Sequence, residues 1–151
     1  MIRFFSQDTA FVLKGKREKA SWLKKVAESR GFKIGDLNYI FCSDEYLLSV
    51  NKEFLGHDYY TDIITFDNSD DYYFETGKEA VSGDIYISVD TVRVNGETYG
   101  EGFDSELDRV IVHGLLHLTG CDDTTSALEK EMHSAEDEAL KMIGENLAKR
   151  V

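Results

Sequence analysis

Asp104-Ser105-Glu106-Leu107-Asp108-Arg109-Val110-Ile111-Val112-His113-Gly114-Leu115-Leu116-His117-Leu118-Thr119-Gly120-Cys121-Asp122-Asp123 reads as one helix that ends on a turn. Leu107, Ile111, Gly114 and Leu118 recur at i, i+4, i+7 and i+11, the spacing of one buried stripe on a helix from about Asp104 to Leu118. Gly120 is placed to stop it. His113 and His117 are four apart, so they point the same way, one turn above the other. They lie beside the stripe, on the side of Glu106 and Val110, at the border of core and solvent. This is the spacing by which a helix offers two imidazoles to one metal ion. A further ligand has to come from beyond the Gly120 turn, where Cys121, Asp122 and Asp123 are all available. Spacing does not choose among them, although Cys121, at the helix end, suits inward packing as a small apolar residue. Gly114 argues against a zinc peptidase of the HExxH kind, which needs a glutamate directly after the first histidine as its general base. Glu136 and Glu138, where a glutamate ligand might be sought, do not restore that reading. Gly114 falls in the packed stripe and points instead to close approach by another element.

Outward from this helix the chain alternates strand and helix patterns. Ile2–Phe5, Leu37–Cys42, Thr61–Phe66 and Asp84–Val89 read as strands, rich in β-branched and aromatic residues. Lys16–Arg30 is helical, with Ala20, Leu23 and Ala27 on one side and Gly31 as a stop. Ser43 is placed to cap a helix through Asn51, with Tyr46, Leu47 and Val50 as its apolar side. Residues 67–80 read as a polar loop and residues 90–98 as a helix. A last helix starts near Ser126, which has capping-box spacing to Glu129, and carries Leu128, Met132, Ala135, Ala139 and Ile143 as its stripe. The order of these elements predicts an α+β domain.

Composition sets the class. The chain has 151 residues, 42% of them apolar, enough for a core without disulfides. Its two cysteines, Cys42 and Cys121, form no CxxC pair, which fits a reducing compartment. No stretch approaches a membrane span and the N-terminus has no signal-peptide pattern, so a soluble, cytoplasmic protein without a membrane partner is expected. The net charge of −12 counts against broad nucleic-acid binding. The charge is uneven: residues 1–33 hold nine basic and three acidic side chains. That segment is either a solvated helix face or a basic patch for an acidic partner.

Three ordered motifs resemble one known family. His113–Asp123 is similar to the HGxLHLxGYDH signature of the YbeY family, the bacterial rRNA maturation factors. Thr61-Asp62-Ile63-Ile64-Thr65-Phe66 resembles the family's TDVLSF strand, and Gly83-Asp84-Ile85-Tyr86-Ile87-Ser88 its GDIxIS strand. Val50-Asn51 aligns with a family Leu-Asn, so the resemblance covers about residues 34–145. It implies an α+β fold, with a small mixed four-stranded sheet packed with about five helices in a single domain over 1–151. It implies a zinc-dependent, single-strand-specific endoribonuclease acting in 3′-end maturation of small-subunit rRNA and in ribosome quality control. The partners implied are single-stranded rRNA and the small ribosomal subunit, with ribosomal proteins or assembly GTPases. One zinc ion is expected on His113, His117 and Asp123, the last standing where the family has a histidine. A carboxylate oxygen binds zinc at a similar distance. Two further departures are Leu55, where the family commonly carries an arginine suited to phosphate, and Tyr60, where it often has proline. Lys52 and His57 are the nearest substitutes for the arginine. Asp84 and His57 are the catalytic candidates, Asp84 for a polar role near substrate and His57 for a phosphate or water contact. Three other readings stay open: a non-catalytic ribosome-assembly factor that keeps the metal site, a metal-dependent hydrolase of another substrate, and a structural zinc closed by Cys121.

Overall fold

The computed structural model describes residues 1–69 and 80–148. The elements are β1 (Ile2–Gln7), α1 (Lys16–Ser29), β2 (Lys33–Cys42), α2 (Asp44–Leu55), β3 (Ile63–Asp67), β4 (Ala80–Ser88), α3 (Val89–Thr98), α4 (Phe103–Leu118) and α5 (Ser126–Ala148). The strands form one sheet in the order β1-β2-β4-β3. β1 runs parallel to β2 and β2 parallel to β4, while β3 is antiparallel to β4. Among the described residues the fold is therefore α+β, with a mixed four-stranded sheet and five helices, as the sequence and its family resemblance predict. No described helix is long and apolar enough to cross a membrane.

Strand alternation divides the sheet into two faces. Ile85 and Ile87 of β4 share a face with Ile63 and Thr65, their register partners on β3. This face takes α4 and the main core, which includes Trp22, Tyr39, Phe41, Ile111 and Leu115. Asp84 and Tyr86 share the other face with Phe66 and Ile64. A smaller cluster covers that face: Cys42, Leu47, Val50 and Ile64, with Tyr46, Phe66 and Tyr86 against it.

Two contacts hold α4 at a fixed height on the sheet. The Tyr39 hydroxyl donates to the Ile111 carbonyl at 2.8 Å. Gly114 presses against β4 and β3. A Cβ there would stand 2.9 Å from Ile85 Cδ1 and 3.1 Å from Ile63 Cδ1. The close approach read from the buried stripe is thus observed, and it sets His113 and His117 beside the β3 edge.

Element boundaries differ from the sequence reading where capping decides them. Ser88 accepts from Thr91 N–H at 3.2 Å, so Val89 opens α3 and does not end β4. Ser43 caps α2 as read, accepting from Tyr46 N–H at 3.1 Å, but α2 runs on to Leu55 and stops at Gly56 with φ 67°. The capping box assigned to Ser126 is corrected by one residue. Thr125 Oγ1 accepts from Leu128 N–H at 3.1 Å and Ser126 is already helical. Of the expected loop over 67–80, residues 70–79 lie outside the described residues, and Ala80 already belongs to β4.

Candidate metal centre

The end of α4 builds the site. Gly120, at φ 99°, reverses the chain. Cys121 N–H donates to the Leu116 carbonyl at 3.0 Å and Gly120 N–H to the His117 carbonyl at 3.0 Å. This paired bonding is a Schellman ending, which satisfies the last carbonyls and folds the following residues back over the helix. Three residues then compete for the metal position. The Asp122 carboxylate is spent on its own turn: it accepts from Asp123 N–H at 2.7 Å, Thr124 N–H at 3.2 Å and Thr124 Oγ1 at 2.9 Å. Cys121 packs against the core, and Arg30 donates to its sulfur at 3.1 Å. Asp123 is left, and its Oδ2 lies 3.6 Å from both His113 Nε2 and His117 Nε2.

The two Nε2 atoms are 3.0 Å apart, with the rings nearly perpendicular. Ligands about 2.0–2.1 Å from a tetrahedral zinc stand roughly 3.4 Å from one another. Separations of 3.0, 3.6 and 3.6 Å bracket that value, so the donor set fits a zinc-sized ion. Two nitrogens and one carboxylate oxygen also suit zinc chemically and leave a fourth position for water or substrate. His113 and His117 are half-buried. A cleft of about 330 Å³ opens beside His117, lined by Ile63, Thr65, Asp67 and Leu118.

Behind the ligands is a layer of matched charge. His113 Nδ1 donates to Glu136 Oε2 at 2.6 Å. Arg109, one turn before His113, donates to Glu136 Oε1 at 2.8 Å and to Asp137 Oδ1 at 2.7 Å. Burial alone would lower the His113 pKa, but the Glu136 hydrogen bond and the charges of Glu136, Asp123 and Asp62 raise it. Burial alone would raise Glu136, but His113 and Arg109 bring it below the usual carboxylate range. Two more acids stand nearby. Asp62, just before β3, is raised by burial against the pull of His113. Glu106 is raised by burial, with Arg109 opposing.

The metal candidates His113, His117 and Asp123 are therefore brought together, whereas the two catalytic candidates are not. Asp84 points to the α2 face, opposite the histidines, because Ile85 beside it faces α4. There its carboxylate accepts from Asn38 Nδ2 at 3.0 Å. His57 is exposed and stacks on Tyr59, with its Nδ1 3.0 Å from the Tyr59 hydroxyl. Lys52 pairs with Asp58 at 3.3 Å. Leu55 itself is exposed. Tyr60, in the proline position, ties its loop to α2 by donating to Glu45 Oε1 at 2.7 Å. Cys42 lies buried under α2, its thiol pushed up to about 12 by burial and by Asp90, Asp44 and Asp8. It belongs to neither the metal cluster nor the cleft.

Sequence reasoning named Glu136 only as a downstream acid that a peptidase might use as a ligand, and it missed Arg109. A signal for Glu136 was present: it interrupts the α5 stripe between Met132 and Ala139, and a buried acid there needs a partner.

The family model for endoribonuclease YbeY matches residues 6–144. The chain belongs to the YbeY family. It is 47% identical to the endoribonuclease YbeY of Cytophaga hutchinsonii, over 93% of this chain and 94% of that protein. It is 49% identical to the one from Bacteroides thetaiotaomicron, over 84% and 88%. A Thermotoga maritima protein of known solution structure superposes with a TM-score of 0.64 at 26% identity, covering 99% of this chain and 93% of that one. The YbeY match extends on both sides of the His113–Asp123 segment, so the family assignment does not depend on the metal ligands alone.

Proposed function

We propose that this YbeY-family chain is a zinc-dependent endoribonuclease that hydrolyses phosphodiesters in single-stranded RNA, acting in 3′-end maturation of small-subunit rRNA and in ribosome quality control. The observation that carries the reading is the convergence of His113, His117 and Asp123 beside an open cleft. Zinc held there would polarise a phosphoryl oxygen or lower the pKa of its water towards ~7.

The protein's own groups divide the remaining work. Asp123 brings one negative charge to the site, which makes the bound ion a weaker Lewis acid than three imidazoles would. Asp62, just before β3, is the acid whose charge acts on His113, which makes it a candidate for a polar role beside the metal. Leu55 offers no guanidinium, so substrate phosphate has the metal as its main positive partner. Cleavage should therefore depend strictly on metal. The basic side chains of residues 1–33 are the natural surface for rRNA outside the site, or for ribosomal proteins and assembly GTPases with acidic faces. The cytoplasm is the compartment that fits this substrate.

The test is metal content and RNA cleavage measured together. Purified protein should hold about one zinc per chain by mass spectrometry, given the three-ligand site. It should cut single-stranded but not duplex RNA. His117→Ala should lose the metal and reduce cleavage by more than roughly a hundredfold, beyond the 10–100-fold typical of losing a residue that only orients a ligand. Equal cleavage by wild type and His117→Ala would refute the assignment. Leu55 specifically favours a second reading, assembly without hydrolysis. Full rescue of a ribosome-assembly defect by His117→Ala would establish it.

A further inference from the structure

Glu136 is 6% exposed, and both of its oxygens are committed, one to His113 and one to Arg109. We infer that Glu136, braced by Arg109, is a positioning residue that fixes the tautomer and ring orientation of His113. The inference rests on the metal-centre reading above and extends it to a residue of α5.

The geometry leaves Glu136 little else to do. Its Oε2 receives the His113 Nδ1 proton at 2.6 Å, so Nε2 of the neutral ring carries the lone pair. That nitrogen is the one facing His117 Nε2 and Asp123 Oδ2. A free imidazole mostly holds its proton on Nε2, which would close the ligand position. Glu136 reverses that preference. Arg109 and His113 are four residues apart on α4, so one face of that helix presents a guanidinium and an imidazole to the same carboxylate. Arg109 is itself anchored by Asp137, the next residue on α5, which gives the clamp a second fixed point. The guanidinium also holds the second carboxylate oxygen, so the Oε2 that meets His113 is fixed in place. Carboxylates that hold a ligating histidine in this way typically change metal affinity 10–100-fold when lost.

His113 tautomer and zinc affinity are both measurable without any RNA. Imidazole ¹⁵N shifts of metal-free protein, recorded above the titration range of histidine, should show His113 protonated on Nδ1 in the wild type. In Glu136→Ala the Nε2–H form should dominate, and zinc affinity in competition with a chromophoric chelator should fall by roughly 10–100-fold. Glu136→Gln keeps shape and an acceptor oxygen, so it should fold and fall between the two. Arg109→Ala should weaken zinc less than Glu136→Ala. An unchanged His113 tautomer in Glu136→Ala and Glu136→Gln, or zinc affinity within twofold of wild type in both, would overturn the inference. If the tautomer and affinity shift as stated but wild-type protein leaves single-stranded RNA intact, the positioning role stands and the nuclease reading fails.

Discussion

The two faces of the sheet both carry acids, yet only one is organised for chemistry. On the α4 face, His113, Glu136 and Arg109 form a relay in which each polar group meets a partner of opposite character. At its end, His113, His117 and Asp123 offer three atoms within 4.8 Å of one another that could hold a metal ion. On the α2 face, Asp84 meets only Asn38 among the described hydrogen bonds, and the Asn38 carbonyl oxygen is buried with no partner. The α4 face rests on the large core, while a small cluster supports the α2 face. Rigid support and paired charges go together, because a ligand set holds its geometry only when the groups behind it are themselves fixed.

Three substitutions would break or sharpen this contrast. Leu47→Ala empties a fully buried position under α2 and should cost about 2–4 kcal/mol in urea unfolding. Zinc affinity of the folded variant should stay within twofold of wild type, because α2 packs on the opposite face of the sheet from His113 and His117. A large loss of affinity would show that the two faces are coupled. Gly114→Ala should cost less, about 1–2 kcal/mol: overpacking against Ile85 and Ile63 is partly offset by the better helix propensity of alanine. Unlike Leu47→Ala, it should also weaken zinc, since lifting α4 moves His113 relative to Glu136 on α5. Isothermal titration of both variants under folding conditions separates the cases. Asp84→Asn should change least, keeping zinc affinity and RNA cleavage rate within about twofold, as expected of a substitution on the far face. A hundredfold drop in its cleavage rate would return Asp84 to the active centre.

What the sequence determined by itself is whatever depends on near neighbours along the chain. Helical period alone placed His113 beside His117 and put Gly114 in the packed stripe. Local chemistry marked Ser43 as a cap and Gly120 as the stop that folds the chain back. The motif resemblance added the family and the sheet composition. Tertiary structure decided the rest. The choice among Cys121, Asp122 and Asp123 turned on which side chain the turn's own backbone consumed, and spacing carries no record of that. Asp84 and Ile85 are neighbours in sequence, but strand alternation sends them to opposite faces. Because apolar residues line both faces, the pattern did not say which face would meet α4. Glu136 is 23 residues from His113 and on another helix, so only the packing of α5 against α4 brings its carboxylate to the imidazole. Periodicity specifies where a side chain points on its own element. What that side chain meets is set by how the elements pack.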